Sequence, residues 1–175
     1  MSVAMSTKVT HDDVKAVTHD ELELQMDAII SGIQTLSDEV VNNKDSTAIA
    51  SLEEVMSKFF TQDAQFTNAM GHHFPNLPAV SKAWSTWFSS LVEANDQSVD
   101  RVFNAEKLQA QWARSGTVTM ANKDGGGQRF EFYDTLSAQF TNLSDNDDDD
   151  GDVGTPKLRI CKLTSKLHRW EPMAS

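Results

Sequence analysis

The chain has 175 residues, 39% of them apolar and 8% aromatic, enough for one domain with a real core and too apolar for a disordered chain. The formal net charge is −11, and six of the acidic residues fall between Asp145 and Asp152. An acidic chain without a basic stripe argues against nucleic acid or an anionic membrane as partners.

Cys161 is the single cysteine, so no intrachain disulfide forms. That suits a reducing compartment, and a cytoplasmic protein is the expectation. The first 15 residues lack the apolar core of a signal peptide, and no run approaches the roughly 20 apolar residues of a membrane span.

Residues 1–17 are polar and aperiodic and read as a flexible tail, leaving 18–172 as one domain. Thr18 and Glu21 make a T-x-x-E capping box. Leu22, Met26, Ile29, Ile33, Leu36 and Val40 then lie on one helical stripe. The stripe suits packing on a sheet, with a coiled-coil seam as the alternative. Asn42-Asn43-Lys44-Asp45 breaks that helix, and Asp45 or Ser46 is a suitable N-cap for the next. The stretch 45–66, DSTAIASLEEVMSKFFTQDAQF, reads as a short amphipathic helix running into a strand over 64–70.

Gly71 to Pro78 is a loop carrying His72 and His73, and Pro78 suits the first turn of a third helix. Val80, Trp84, Trp87 and Leu91 give that helix an apolar stripe. From Ser98 the period changes to two, with strands at 99–103 and 108–119. Lys123-Asp124-Gly125-Gly126-Gly127 is a turn signal before a long strand at 128–141. An acidic loop, 142–156, leads to a last strand from Lys157 to about Trp170. Helices first and an antiparallel meander after them give an α+β class, the helices covering one face of the sheet.

The element order resembles the nuclear transport factor 2-like superfamily, in particular its SnoaL-like members. The likeness rests on the long first helix, the N-x-x-D break, the short helix ending FFTQDAQF, a tryptophan-bearing third helix and long strands after it. It covers residues 20–170, and the tail and acidic loop depart from the compact plan. The resemblance implies a cone of curved sheet with an interior pocket, a cofactor-free isomerase, cyclase or dehydratase acting on an apolar metabolite, and a homodimer through the sheet's outer face. A non-catalytic ligand-binding or interaction module is the alternative.

Phe130, Phe132, Leu136, Ala138 and Phe140 share one strand face with a single charge, Asp134. Desolvation there favours the protonated carboxyl, as general acid–base chemistry requires. A hairpin centred near Asp124 sets Arg114 opposite Asp134 and Trp112 opposite Leu136. The Arg–Asp pair either orients a substrate or is a structural ion pair, and the arginine lowers the aspartate pKa. Tyr133 falls on the opposite face.

By resemblance, Asp63 and Met70 lie near the pocket, although Asp63 also reads as a helix terminator. His72 and His73 are adjacent, so one metal cannot readily take both, but either could act as an acid or base. Trp84, Trp87, Phe88, Trp112, Phe130 and Phe132 either line an apolar pocket or form plain core. The acidic run fails as a calcium loop: counted from Asn146, position 12 is Lys157, where a bidentate glutamate is required. No metal or cofactor motif occurs.

Overall fold

The computed structural model describes residues 16–44, 46–143 and 156–174. The expectations for the tail before residue 16, for Asp45 as a cap and for most of the acidic loop lie outside them. Helix α1 spans His19–Ser37. Its capping box forms as expected, with Thr18 Oγ1 accepting from the Glu21 amide at 3.2 Å and Glu21 Oε2 accepting from the Thr18 amide at 2.9 Å. Met26, Ile29, Ile30, Ile33 and Leu36 bury its apolar stripe. The helix ends in a π-turn, Asp38–Asn42, whose extra residue lets consecutive Val40 and Val41 both turn inward.

The single short helix expected after residue 45 is two separate turns, α2 (Ser46–Ala50) and α3 (Leu52–Met56). Between them Ser51 Oγ donates back to the Thr47 carbonyl at 2.8 Å, a bond that competes with helix continuation. Strand β1 (Phe60–Thr67) begins at the second phenylalanine of the FF pair, earlier than expected. A short β2 (His73–Phe74) folds back on it, and α4 (Leu77–Ser89) follows with Asn76 as its side-chain cap. Leu91 does not extend the α4 stripe. It opens β3 (Leu91–Asn104), because pairing with β4 (Gln109–Ala121) captures the chain directly after the helix. Strands β5 (Gly127–Asn142) and β6 (Leu158–Pro172) complete the sheet.

The six strands run in the order β2-β1-β6-β5-β4-β3. All neighbours are antiparallel except β1 and β6, whose parallel pairing makes the sheet mixed. The helices pack on one face, and the long strands of this open α+β cone supply Trp112, Val118, Phe132, Leu136, Phe140, Ile160 and Leu163 to the core beneath them. Trp84 anchors α4 through edge contacts with Phe60, Phe66 and Phe88 at 5.8, 5.9 and 6.1 Å. Asn42 fastens the end of the π-turn to β3, donating to the Ala94 carbonyl at 2.7 Å and accepting from the Ala94 amide at 2.9 Å. No helix among the described residues is long and apolar enough to cross a membrane.

Candidate functional site

The β4–β5 register pairs Arg114 with Asp134 and Trp112 with Leu136, as the hairpin centre predicts. Asp134 is 4% exposed on the inner face. Arg114 grips it in a two-pronged pair: Nε donates to Oδ1 at 3.1 Å and Nη2 to Oδ2 at 2.6 Å. Ser165 on β6 adds a hydroxyl 3.4 Å from Oδ2, and the guanidinium lies 5.8 Å from the Phe132 ring centre. Burial works against the charge of Arg114, but the hydrogen-bonded Asp134, with Asp96 nearby, holds its pKa above the ordinary value. One third of the Arg114 side chain stays exposed, and its Nη1 has no acceptor among the described residues.

A second carboxylate belongs to this cluster. In β3, Ala94, Asp96 and Ser98 turn inward while Glu93, Asn95 and Gln97 face solvent. Asp96 is half-buried and accepts from Ser37 Oγ of α1 at 3.3 Å. Burial pushes its carboxyl above the ordinary value; Arg114 and the Ser37 hydroxyl pull the other way, and Asp38 and Asp134 add to the rise. Its partner across the sheet is Gly116, where a β-carbon would lie 2.1 Å from the Asn95 carbonyl oxygen. Only glycine admits so close an approach of the two backbones.

The α1 side of the cluster is polar. Asp27, Ser31, Gln34 and Ser37 recur at helical spacing toward β3. A bulge between Val99 and Val102, with Asp100 at φ 52°, turns Arg101 toward them. Arg101 donates to Asp27 Oδ1 at 2.6 Å, Ser31 Oγ at 2.8 Å, Gln34 Oε1 at 3.2 Å and Ser98 Oγ at 2.6 Å. Gln34 also donates to the Asp96 carbonyl at 3.4 Å. Hydrogen bonds therefore join Asp27 to Asp96, and Asp96 stands beside the Arg114–Asp134 pair.

Of the other expected site residues, Phe132 lies against the pair, while the histidines, Met70 and Asp63 lie elsewhere. His72 and His73 are exposed in the β1–β2 hairpin, where Asn68 Oδ1 accepts from the Met70 and His72 amides. Strand β6 separates that hairpin from β5. Met70 is 79% exposed at its tip. Asp63 is exposed on β1, away from Asp134. Trp112, Phe132 and Phe88 are buried core, with Trp84 packed against it. Phe130 stacks on Trp170 at 4.8 Å, with Trp87 against the same indole at 6.1 Å. Tyr133 sits on the outer face, as its alternation requires, 5.4 Å from the His168 ring. Burial pushes the Cys161 thiol up, which makes it a poor nucleophile. No group of three or more His, Cys, Asp or Glu among the described residues could hold a metal ion.

Two clefts stand out, and neither is lined by Arg114 or Asp134. One, of about 530 Å³, lies over β3–β6 among Gln109, Gln111, Gln139 and Lys162. The other, of about 510 Å³, lies where β1 meets the end of β5 and the start of β6.

Asp96 and Arg101 are the residues sequence reasoning missed. The alternation of small inward residues with polar outward ones from Glu93 to Ser98 was available, but a strand starting at residue 99 leaves that stretch outside the sheet.

No family model matches the chain, and no curated protein matches it. Solved structures do. The hexachlorocyclohexane dehydrochlorinase LinA-type3 from Novosphingobium barchaimii aligns with a TM-score of 0.54 at 11% identity, covering 89% of this chain and 95% of that one. A ketosteroid isomerase-like protein from Erwinia carotovora atroseptica aligns at 0.55 and 10% identity, over 87% and 99%. A SnoaL-like polyketide cyclase described from Shewanella denitrificans aligns at 0.54 and 9% identity, over 86% and 90%. At such identities the likeness is one of fold: the chain adopts the α+β cone of the nuclear transport factor 2-like superfamily, SnoaL-like proteins included.

Proposed function

We propose that the chain is a cofactor-free acid–base protein of the isomerase, cyclase or lyase kind, acting on a small, largely apolar metabolite that carries an oxygen acceptor. The carrying observation is Arg114, clamped along one edge by buried Asp134 while Nη1 has no acceptor among the described residues and a third of the side chain meets solvent. An arginine fixed in this way holds an oxyanion that develops as a proton leaves the neighbouring carbon. Asp96, half-buried beside it with a raised pKa, is the proton carrier, and Asp134 positions the arginine. That assignment moves the acid–base role from Asp134, whose carboxylate is fully engaged, to Asp96. The fold neighbours named as a dehydrochlorinase, an isomerase-like protein and a cyclase support the class without fixing a substrate.

The test is deuterium incorporation from D₂O into a panel of apolar ketones and 1,3-dicarbonyl compounds, followed by NMR. Wild type should exchange at least one of them, and Asp96→Asn should slow that exchange by about 10²-fold or more, the range of positioned acid–base groups. Exchange by neither protein, with no compound raising the Tm, would sink the reading.

A non-catalytic binding or dimerising module has one observation in its favour. Trp112, Phe132 and Leu136, on the face expected to line a pocket, are each under 8% exposed. On this reading the outer face, where Val102 and Tyr133 are exposed, pairs with a second copy. Sedimentation of a Val102→Lys, Tyr133→Lys double variant at half the wild-type mass would support it; a wild-type monomer would end it.

A further inference from the structure

The cleft beside β1 arises from a local mismatch in the sheet. β1 advances from Phe60 to Gln65 while β6 advances only from Ile160 to Lys162, so the segment between bulges away from its partner. The cleft of about 510 Å³ left there is lined by Thr61 and Asp63 from the bulge and by Thr141, Lys157 and Arg159 from β5 and its continuation into β6.

Its two cations have no carboxylate partner among the described residues. Arg159 is half-buried, and its one hydrogen bond among the described residues runs from Nη1 to the neighbouring Leu158 carbonyl at 2.8 Å. No ion pair involves Arg159 or Lys157 among the described residues. Burial holds the Arg159 pKa below its ordinary value, with no counter-charge among the described residues to raise it. In the same wall the Thr61 hydroxyl is shielded from solvent and has no partner among the described residues. Buried polar groups in folded proteins are nearly always satisfied, so a donor cluster of this kind lacks an acceptor.

We propose that this cleft binds the anionic group of a small ligand, a carboxylate or a phosphate monoester. Arg159 and Lys157 supply the charge, and the Thr61 hydroxyl supplies a neutral donor. Asp63 in the lining disfavours a polyanion and suits a ligand with a hydroxyl or ammonium at its other end. The net charge of −11 opposes anions at long range, so binding rests on these local donors and weakens with salt. The site shares no residue with the Arg114–Asp134–Asp96 cluster, and either stands if the other fails.

Thermal unfolding of the full chain in sodium acetate and in sodium phosphate, against sodium chloride at equal ionic strength, tests it. Acetate or phosphate should raise the Tm in a saturable way, and the salt that saturates identifies carboxylate or phosphate as the preferred group. Arg159→Gln should abolish the response. Thr61→Val should raise the Tm without anion, because it removes an unpaired hydroxyl, and yet reduce the anion's effect. An unstructured Arg159→Gln protein would shift the decision to the Arg159 Nε–H resonance of wild type, which must move on titration with the effective anion. No saturable rise in wild type, an equal rise in a folded Arg159→Gln variant (general salting-out), or an unmoved resonance would each overturn the proposal.

Discussion

The two charged regions of the sheet differ in how their charges are balanced. Between α1 and β3–β5, Arg101 and Arg114 each face a carboxylate at 2.6 Å, and hydroxyl and amide groups fill most remaining positions. Between β1 and β6, Arg159 and Lys157 face none among the described residues. A paired and desolvated charge is costly to disturb, because its partner is left behind. An unpaired one can be removed with little harm to the fold. The contrast teaches where structure constrains sequence and where something outside the chain does.

The largest effect should come from stranding a buried charge. Arg114→Leu leaves Asp134 buried at 4% exposure without its cation and should cost about 3–5 kcal/mol in urea unfolding. Asp134→Leu should cost less, because the stranded arginine is one-third exposed and can be solvated. The double variant should recover most of the loss. Arg159→Leu, by contrast, should fall within about 0.5 kcal/mol of wild type. Equal costs at Arg114 and Arg159 would erase the distinction between the two regions.

Gly116→Ala sharpens the comparison next, since the charged cluster depends on β3 and β4 approaching closely. A methyl placed 2.1 Å from the Asn95 carbonyl oxygen and 2.6 Å from the Asp96 α-carbon meets backbone, which cannot swing aside. The expected cost is near the top of the roughly 1–3 kcal/mol range for overpacking. Asn42→Ala should cost about 1–2 kcal/mol, since it orphans both backbone groups of buried Ala94. Both are read from urea midpoints. Neither variant should alter the anion response of the β1–β6 cleft.

Local signals carried the first helix and the β4–β5 hairpin into view. A capping box, a six-position apolar stripe and a glycine-rich turn each act within a few residues, so the Arg114–Asp134 pair followed from counting outward from Asp124. Asp96 was hidden because Leu91–Ser98 is poor in β-branched residues and becomes strand through pairing with β4. The Arg101 network depends on a bulge at Asp100, and the β1–β6 cleft on a register shift in a parallel pair; both are non-local. The burial of Trp112 and Phe132 was equally out of reach, since aromatic residues at strand spacing read alike as lining or as core.

The smallest expected effect is also the one whose sign is least intuitive. The raised pKa of Asp96 means that the folded protein holds this proton more tightly than the unfolded chain, whose carboxyl titrates near the ordinary 3.8. Between that value and the raised one the native state binds more protons, so stability falls as pH rises through the window. Above the window the loss is complete and constant, and below 3.8 it is absent. Asp96→Asn removes the titration and can keep the Ser37 hydrogen bond, because the asparagine Oδ1 still accepts. The variant should therefore be modestly more stable than wild type at pH 7, and the two urea midpoints should converge as the pH drops toward 3.8. A difference that does not change with pH, or a variant less stable at pH 7, would mean that Asp96 is held ionised by Arg114. It would then be a second structural partner of that arginine, with no proton to offer a substrate.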